Sequence, residues 1–319
     1  MRDLFTEKNI QPMLIAENVK PFADPTYLYE LKWDGERCIA YLDPASGTEL
    51  RNKRQIAMLP KVPELQDIHK QVRKRCVLDG ELAILVGGKP AFEKIQRRSL
   101  MSNRYRIEYE SGRFPATYIA FDCLYYDGED LTMKPLNQRK KILQTAVRES
   151  GRLAVSRIFE HSQALELFRL TKEQGLEGIV AKEKNSLYFQ GKRTKAWLKI
   201  KNLLDADFIV CGWIPKQNHM TSLVLGQYRD GRLEYKGHVT LGVGGEAFAK
   251  IKAQPCMDQP PIEGPIPPGH GNEKARWLVP SLVCTVEFMA YTSSGGMRQP
   301  VFKGMREDKA PEECVSNSL

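Results

Sequence analysis

The sequence predicts an α+β chain in two domains, a mixed domain over residues 1–203 followed by an all-β barrel over 204–319. Three observations carry this. In the first 200 residues helical and strand periods of hydrophobicity lie side by side, without the strand–helix–strand rhythm of a doubly wound sheet. Beyond residue 204 nearly every apolar run is strand-like. Between the two, the basic run Lys199-Ile200-Lys201-Asn202 gives way abruptly to Leu203-Leu204-Asp205-Ala206-Asp207. A length of 319 residues accommodates two ordinary domains.

In the first domain, residues 63–74 read as a helix opened by Pro63 in its first turn. Residues 136–147 carry Leu136, Ile142, Leu143 and Val147 on a helical stripe. Residues 162–174 form a third helix, with Ser162 as N-cap and Gly175 as the stop. Strand-like runs fall at 77–78, 81–86, 118–126, 179–181 and 197–200, with Asp79-Gly80 as a tight turn before Glu81. In the second domain strands are expected at 208–214, 222–228, 233–239 and 283–291, with turn signals at Asp230-Gly231 and Ser294-Gly295-Gly296. The proline-rich stretch 254–272 excludes a regular helix or central strand and reads as a long surface loop. About five strands in roughly 110 residues fit a small Greek-key barrel such as an OB-fold.

Composition narrows the function. Hydrophobic content of 42% and charged content of 27% are those of a soluble globular protein. No apolar run approaches the ~20 residues of a membrane span, and the N-terminus has no signal-peptide core. The seven cysteines are scattered without a CxxC, and the five histidines lack ligand spacing. Reduced thiols in a cytosol follow, and any metal is expected to be Mg²⁺ or Mn²⁺ held by carboxylates and phosphates. The net charge is +9, and it is unevenly placed. Residues 1–203 hold 36 lysines and arginines against 26 acids, and the remainder 12 against 13. The basic half is the candidate polyanion footprint, although a solvated basic surface would look the same.

The chemistry centres on Lys32-Trp33-Asp34-Gly35-Glu36-Arg37. A lysine five residues before an arginine, with Asp-Gly between, suits covalent nucleotide transfer: the lysine attacks an α-phosphorus, and the arginine holds a phosphate or ribose. An ordered series follows. It comprises Arg51-Asn52, Asp79-Gly80-Glu81, the run Phe121 to Gly128, Glu177-Gly178-Ile179-Val180-Ala181-Lys182, Lys199-Ile200-Lys201 and Arg306-Glu307-Asp308-Lys309. Strand alternation puts Lys199 and Lys201 on one face. Cations such as Arg37, Lys199 and Lys201 beside Lys32 would depress its pKa from ~10.4 and make it a nucleophile. Each residue also has a plainer reading: Phe121 as core, Glu81 as a turn carboxylate, Lys199 and Lys201 as a solvated face, and Trp33 and Trp197 as packing.

This order resembles the covalent nucleotidyltransferases, specifically the ATP-dependent DNA ligases, over nearly the whole chain. The stretches 277–287 and 302–309 look most like the ligase module of the bacterial end-joining enzyme ligase D. The resemblance implies that Lys32 becomes lysyl-AMP and that Glu30 contacts the adenine side. It implies that Arg37 and Arg51 hold ribose, phosphates or the 5′-phosphate of the nick, and that Phe121 stacks on adenine. Glu81 is implied as a ribose or metal-linked carboxylate and Glu177 as a metal-binding acid. Arg193, Lys199 and Lys201 are implied as late basic contacts to nucleotide. Arg306, Asp308 and Lys309 are implied to orient the pyrophosphate leaving group from a barrel that swings between arrangements.

The implied activity is sealing of 3′-OH/5′-phosphate nicks in double-stranded DNA with ATP and Mg²⁺ or Mn²⁺. The enzyme would be a minimal monomer of the bacterial cytosol or nucleoid, aided by a Ku-like end-binding protein. An RNA ligase or capping guanylyltransferase shares the lysine chemistry, and a non-catalytic nucleic-acid-binding module shares the fold. Residues 239–245, Val-Thr-Leu-Gly-Val-Gly-Gly, depart from the ligase D pattern, which leaves any barrel-side contact there open.

Overall fold

The computed structural model describes residues 3–292 and 295–316. The chain divides into two compact units, Met1–Asn202 and Leu203–Leu319.

In the first unit the strands are β1 (Tyr27–Leu31), β2 (Glu36–Asp43), β3 (Gly47–Asn52), β4 (Cys76–Val86), β5 (Ala116–Tyr126), β6 (Leu153–Val155), β7 (Gly178–Glu183) and β8 (Trp197–Lys201). The helices are α1 (Phe92–Leu100), α2 (Arg104–Arg113), α3 (Leu136–Ala146) and α4 (Ala164–Glu173). A larger sheet runs in the order β3-β2-β4-β5, with β6 parallel along β5, and a smaller antiparallel sheet runs β8-β7-β1.

Side chains alternating along these strands make three apolar layers. Cys38, Ala40 and Leu42 of β2 join Leu78, Tyr118, Ile95 and Leu143 on one face of the larger sheet. Ile39, Tyr41, Val77 and Phe121 on its other face meet Leu28 and Trp197 of the smaller sheet. The outer face of the smaller sheet, with Tyr29, Ile179, Ala181 and Ile200, is covered by Ala164 and Leu167 of α4. The space between the two sheets is where polar side chains interrupt the middle layer.

In the second unit the strands are β9 (Leu204–Pro215), β10 (Met220–Arg229), β11 (Arg232–Gly242), β12 (Arg276–Leu278), β13 (Val283–Phe288) and β14 (Val301–Arg306), with α5 (Glu246–Lys252). β9, β10 and β11 form a meander. The β10–β11 hairpin closes through Asp230 (φ 51°) and Gly231 (φ 78°), the two left-handed residues of a type I′ turn. The first half of β9 pairs with β13, and β13 pairs with β14. Past a bulge at Val210/Gly212, β9 pairs with β12, so one long strand serves two parts of the barrel. Phe208, Leu223, Val239, Val286 and Phe288 fill the interior beside Phe248 and Ile251 of α5. This is an OB-type barrel. The 254–272 stretch is a loop apart from Cys256–Met257, which pairs with β12. Ser294 of the expected 294–296 turn lies outside the described residues.

Several local expectations are corrected. Residues 63–74 are not an α-helix but short 3-10 turns at Leu59–Lys61, Pro63–Leu65 and Ile68–Gln71. Leu65, Ile68 and Val72 are buried at the expected helical spacing. However, backbone pairing of Val72 with Val147, and of Arg73 with Ala146, pulls the end of the segment into extended structure. Asp79-Gly80 is not a tight turn. It sits inside the continuous strand β4, where the register shifts against β5, so the glycine marks a bulge. Ser162 is not the N-cap of α4; it lies within a 3-10 turn at His161–Gln163 whose capping box is Glu160 with Gln163. β2 escapes sequence reading because Cys38 to Asp43 are buried on both faces and show no alternation. α2 escapes because Ile107 is its one buried side chain. Among the described residues no helix is long and apolar enough to cross a membrane.

Candidate active site

The gap between the two sheets of the first unit forms a pocket. Glu30, Lys32, Val180, Lys182 and Trp197 line it from the smaller sheet, and Arg37, Glu81 and Phe121 from the larger one. The register explains the first group. Glu30 on β1 faces Val180 on β7, and Val180 faces Lys199 on β8, so one row of inward residues crosses the sheet. Two glycines let the lysine-bearing turn approach. A Cβ on Gly178 (φ 133°) would lie 2.1 Å from the Ile200 carbonyl oxygen, and one on Gly35 would lie 2.2 Å from that of Leu82. Lys32 itself is held by its backbone N–H, which donates to the Gly178 carbonyl at 2.9 Å.

Lys32 Nζ donates to Glu177 Oε2 at 2.8 Å, and Lys201 Nζ lies 3.4 Å from Oε1 of the same carboxylate. Glu177 is 5% exposed. The charge that Lys32 touches is therefore an acid, with two of the three expected cations, Lys199 and Lys201, close to it. Lys199 reports that gathering: burial pushes its pKa down, and Lys201, Lys32 and Arg193 push it further. Arg193 donates to the carbonyls of Ile15 and Ala16, bracing the two-residue strand Leu14–Ile15, whose Ile15 lines the pocket.

Arg37 is fixed from behind. Its Nε and Nη2 each donate to Asp79 at 2.6 Å, and Tyr188 Oη donates to the same carboxylate at 2.6 Å. Its guanidinium carbon lies 4.5 Å from the Phe121 ring centroid. Glu81 faces Arg37 across β2–β4. Burial pushes the Glu81 pKa up to about 8 against the pull of Arg37 and Lys32, with Glu177 and Asp79 adding to the rise.

A pH dependence of stability follows. Between the ordinary value of 4.5 and about 8, the folded protein keeps a proton on Glu81 that the unfolded chain has released. The stability this contributes is complete below about pH 4.5 and is lost as pH rises through about 8. In EDTA and without nucleotide, the melting temperature is expected to fall from about pH 5.5 to about pH 8.5 more steeply in the wild type than in Glu81→Gln. Parallel curves would contradict the assignment.

Glu30 is 1% exposed. Lys140 of α3 and Lys182 both pair with its Oε1, Lys182 at 3.0 Å. Oε2 is buried with no hydrogen-bond partner among the described residues. Burial brings Lys182 down to about 8 although Glu30 opposes this. Its ammonium stands 4.3 Å from the Phe121 centroid and 4.5 Å from that of Trp197.

The pocket thus brings together Glu30, Lys32, Arg37, Glu81 and Phe121, with Glu177 and Lys201 joined to Lys32 through ion pairs, Lys199 near enough to be repelled by Lys32 and Lys201, and Arg193 bracing Ile15. Arg51 is not among the lining residues: it sits on β3 opposite Ile39 and donates to Glu49 at 2.6 Å. Arg306, Asp308 and Lys309 belong to the second unit. Sequence reasoning assigned no role to Asp79, Lys140, Val180 or Lys182, though Asp79, Val180 and Lys182 stood inside motifs already singled out. Trp197, read as packing, packs and also lines the pocket. Among the described residues no group of three or more acidic, His or Cys side chains is placed to hold a metal. The Glu81 and Glu177 carboxylates suit a hard cation that takes its other oxygens from phosphates and water.

Residues 11–201 match the family model for the ATP dependent DNA ligase domain, and residues 216–309 match that for the ATP dependent DNA ligase C terminal region. The chain belongs to the ATP-dependent DNA ligase family. It is 28% identical to the multifunctional non-homologous end joining DNA repair protein LigD of Mycobacterium tuberculosis, over 98% of this chain and 40% of that protein. The chain therefore spans about two fifths of the length of those LigD relatives. It is 34% identical over 65% of its length to the SPbeta prophage-derived DNA ligase-like protein LigB of Bacillus subtilis, 73% of which is covered. The solved structure of a mycobacterial DNA ligase D complexed with ATP and MES is 27% identical, with a TM-score of 0.55 over 97% of this chain and 99% of that one. Within this ligase family, the two matched regions fall one in each compact unit.

Proposed function

We propose that this ligase stores AMP on Lys32 and spends it on sealing 3′-OH/5′-phosphate nicks in double-stranded DNA, in end joining or repair. The carrying observation is the placement of Lys32 Nζ at a pocket in which an unpartnered Glu30 oxygen, an aromatic ring and a basic cluster converge. The ATP bound to the ligase D relative and the end-joining names of the relatives support the reading.

In the first step the deprotonated Lys32 amine attacks the α-phosphorus of ATP. An N–P bond forms, and the bond to the pyrophosphate oxygen breaks. Glu177, which holds the ammonium at 2.8 Å, orients it and is the acceptor nearest to its proton. Phe121 and Val180 give the base apolar surfaces, and Glu30 Oε2 accepts from the exocyclic amine of adenine. Guanine would present a carbonyl there, lone pair against lone pair. Arg37, Lys199 and Lys201 offset charge on the phosphates. Mg²⁺ or Mn²⁺ held by Glu81 and Glu177 would add to that offset. Arg306, Asp308 and Lys309 orient the departing pyrophosphate. The DNA 5′-phosphate then attacks the lysyl-AMP phosphorus and the amine leaves. Finally the 3′-hydroxyl attacks the 5′-phosphate and AMP leaves.

Label transfer from [α-³²P]ATP and [α-³²P]GTP, followed by sealing of nicked DNA and nicked RNA, tests the reading. ATP and DNA are expected to win by at least about tenfold in each pair, given buried polar mismatch penalties of a few kcal/mol. Preference for GTP would move the chain to capping chemistry, preference for RNA to RNA ligation, and no label at all to a binding module. Nick affinity is expected to drop at least about tenfold between about 50 and 200 mM salt, because the basic first unit supplies the contacts. Flat binding would count against that. The reading makes the protein a monomer of the bacterial cytosol or nucleoid, where sealing of blunt and cohesive ends with and without a Ku-type protein defines its pathway.

A further inference from the structure

Within the second unit, one carboxylate gathers the two cations read above as leaving-group residues. Lys309 Nζ donates to Asp207 Oδ2 at 2.8 Å, and Arg306 Nη1 donates to the same oxygen at 3.2 Å. Thr285 Oγ1 donates to Oδ1 at 2.6 Å. The sheet makes this arrangement. Asp207 on β9 lies opposite Thr285 on β13, and Arg306 on β14 lies opposite Val283, two residues along β13. Arg306 spends its remaining donors, Nε and Nη2, on Asp308 at 2.8 Å each. Its guanidinium is thus held flat between two carboxylates. Lys309 keeps donors free on an ammonium tethered at one point.

Asp207 is 12% exposed at its side chain, whereas Arg306 is 38% and Lys309 25% exposed. The anchor is covered and the cations are open. Without the anchor, two long side chains carrying like charge would stand adjacent on a short segment, repelling each other and sampling many rotamers. Neither effect involves the pocket of the first unit, and neither is needed for the barrel interior, which Phe208 and its neighbours fill.

We propose that Asp207 is a positioning residue for the first step of the reaction: it presets Arg306 and Lys309 so that both reach the pyrophosphate together. This rests on the leaving-group reading of Arg306 and Lys309. The role is specific to that step, because no pyrophosphate leaves when the 3′-hydroxyl attacks an adenylylated nick.

The test compares Asp207→Asn, Asp207→Glu, Arg306→Ala and Lys309→Ala in the full chain. Two reactions are followed: self-adenylylation with [α-³²P]ATP, and sealing of a chemically pre-adenylylated nick. Asp207→Asn keeps the shape and the Thr285 bond but removes the charge. It is expected to slow self-adenylylation at least about tenfold, the scale of one lost charge-assisted hydrogen bond, while sealing of the pre-adenylylated nick stays within about twofold. Asp207→Glu is expected to recover part of the loss. Unchanged or faster self-adenylylation in Asp207→Asn, with Arg306→Ala and Lys309→Ala impaired, overturns the inference and leaves the leaving-group reading intact. Equal loss of both reactions in Asp207→Asn assigns Asp207 to the fold and also overturns it. If Arg306→Ala and Lys309→Ala keep full self-adenylylation, the leaving-group reading itself fails.

Discussion

Lys32→Ala is expected to abolish label transfer from [α-³²P]ATP, by at least about 10⁴-fold, because the nucleophile is gone and no nearby group replaces it. Lys199 and Lys201 project from β8, and Lys201 is already engaged on the far oxygen of Glu177. The fold should tolerate the change. The Lys32 side chain is 19% exposed, and Glu177 keeps Lys201 as a counterion when Lys32 is removed. The stability cost is therefore expected near the ~1 kcal/mol of a partly exposed ion pair rather than that of a stranded charge. Sealing of a pre-adenylylated nick should survive in part, since Lys32 forms no bond in that step. Calorimetry alongside label transfer checks both halves. Undiminished labelling of the folded variant would refute the assignment, and labelling lost together with the fold would leave Lys32 as a structural cation.

Lys199 and Lys201 were legible on the smaller sheet because their placement rests on local periodicity: they alternate with Ile200, which packs under α4. What anchors the other site residues was not legible. Arg37 is held by Asp79, 42 residues away, Glu30 by Lys140 of α3, and Arg306 by Asp207, 99 residues away. Such pairs are set by sheet register and helix docking, which leave no spacing rule in one sequence. The helical stripe of α3 was read from its apolar side, and Lys140 lies buried beside that stripe. Arg51 lies on β3, one strand beyond the pocket-lining residues, a placement that its spacing from Arg37 does not reveal.

Arg37→Ala is expected to produce the largest loss of stability among the pocket variants. Asp79 is fully buried, and Arg37 satisfies both of its oxygens at 2.6 Å. Removing the guanidinium, which lies over Phe121 and Trp197, leaves a buried carboxylate whose remaining side-chain donor among the described residues is Tyr188 Oη. Breaking such a pair from one side costs about 3–5 kcal/mol, and the 20% exposure of Arg37 favours the lower figure, since water can reach the stranded charge. Urea denaturation measures it, and an unchanged midpoint would show that the pair carries no net stability. The double variant Arg37→Met with Asp79→Asn separates fold from chemistry. It removes both charges, the carbonyl of the introduced asparagine still accepts from Tyr188, and the methionine refills the space over Phe121. Most of the stability is expected to return, because a buried ion pair replaced on both sides by groups of similar volume is often close to neutral. Label transfer from ATP is not expected to return, since nothing then offers a cation at that wall of the pocket. Recovery of labelling with recovery of the fold would make Arg37 a structural residue and pass its phosphate role to Lys199 and Lys201.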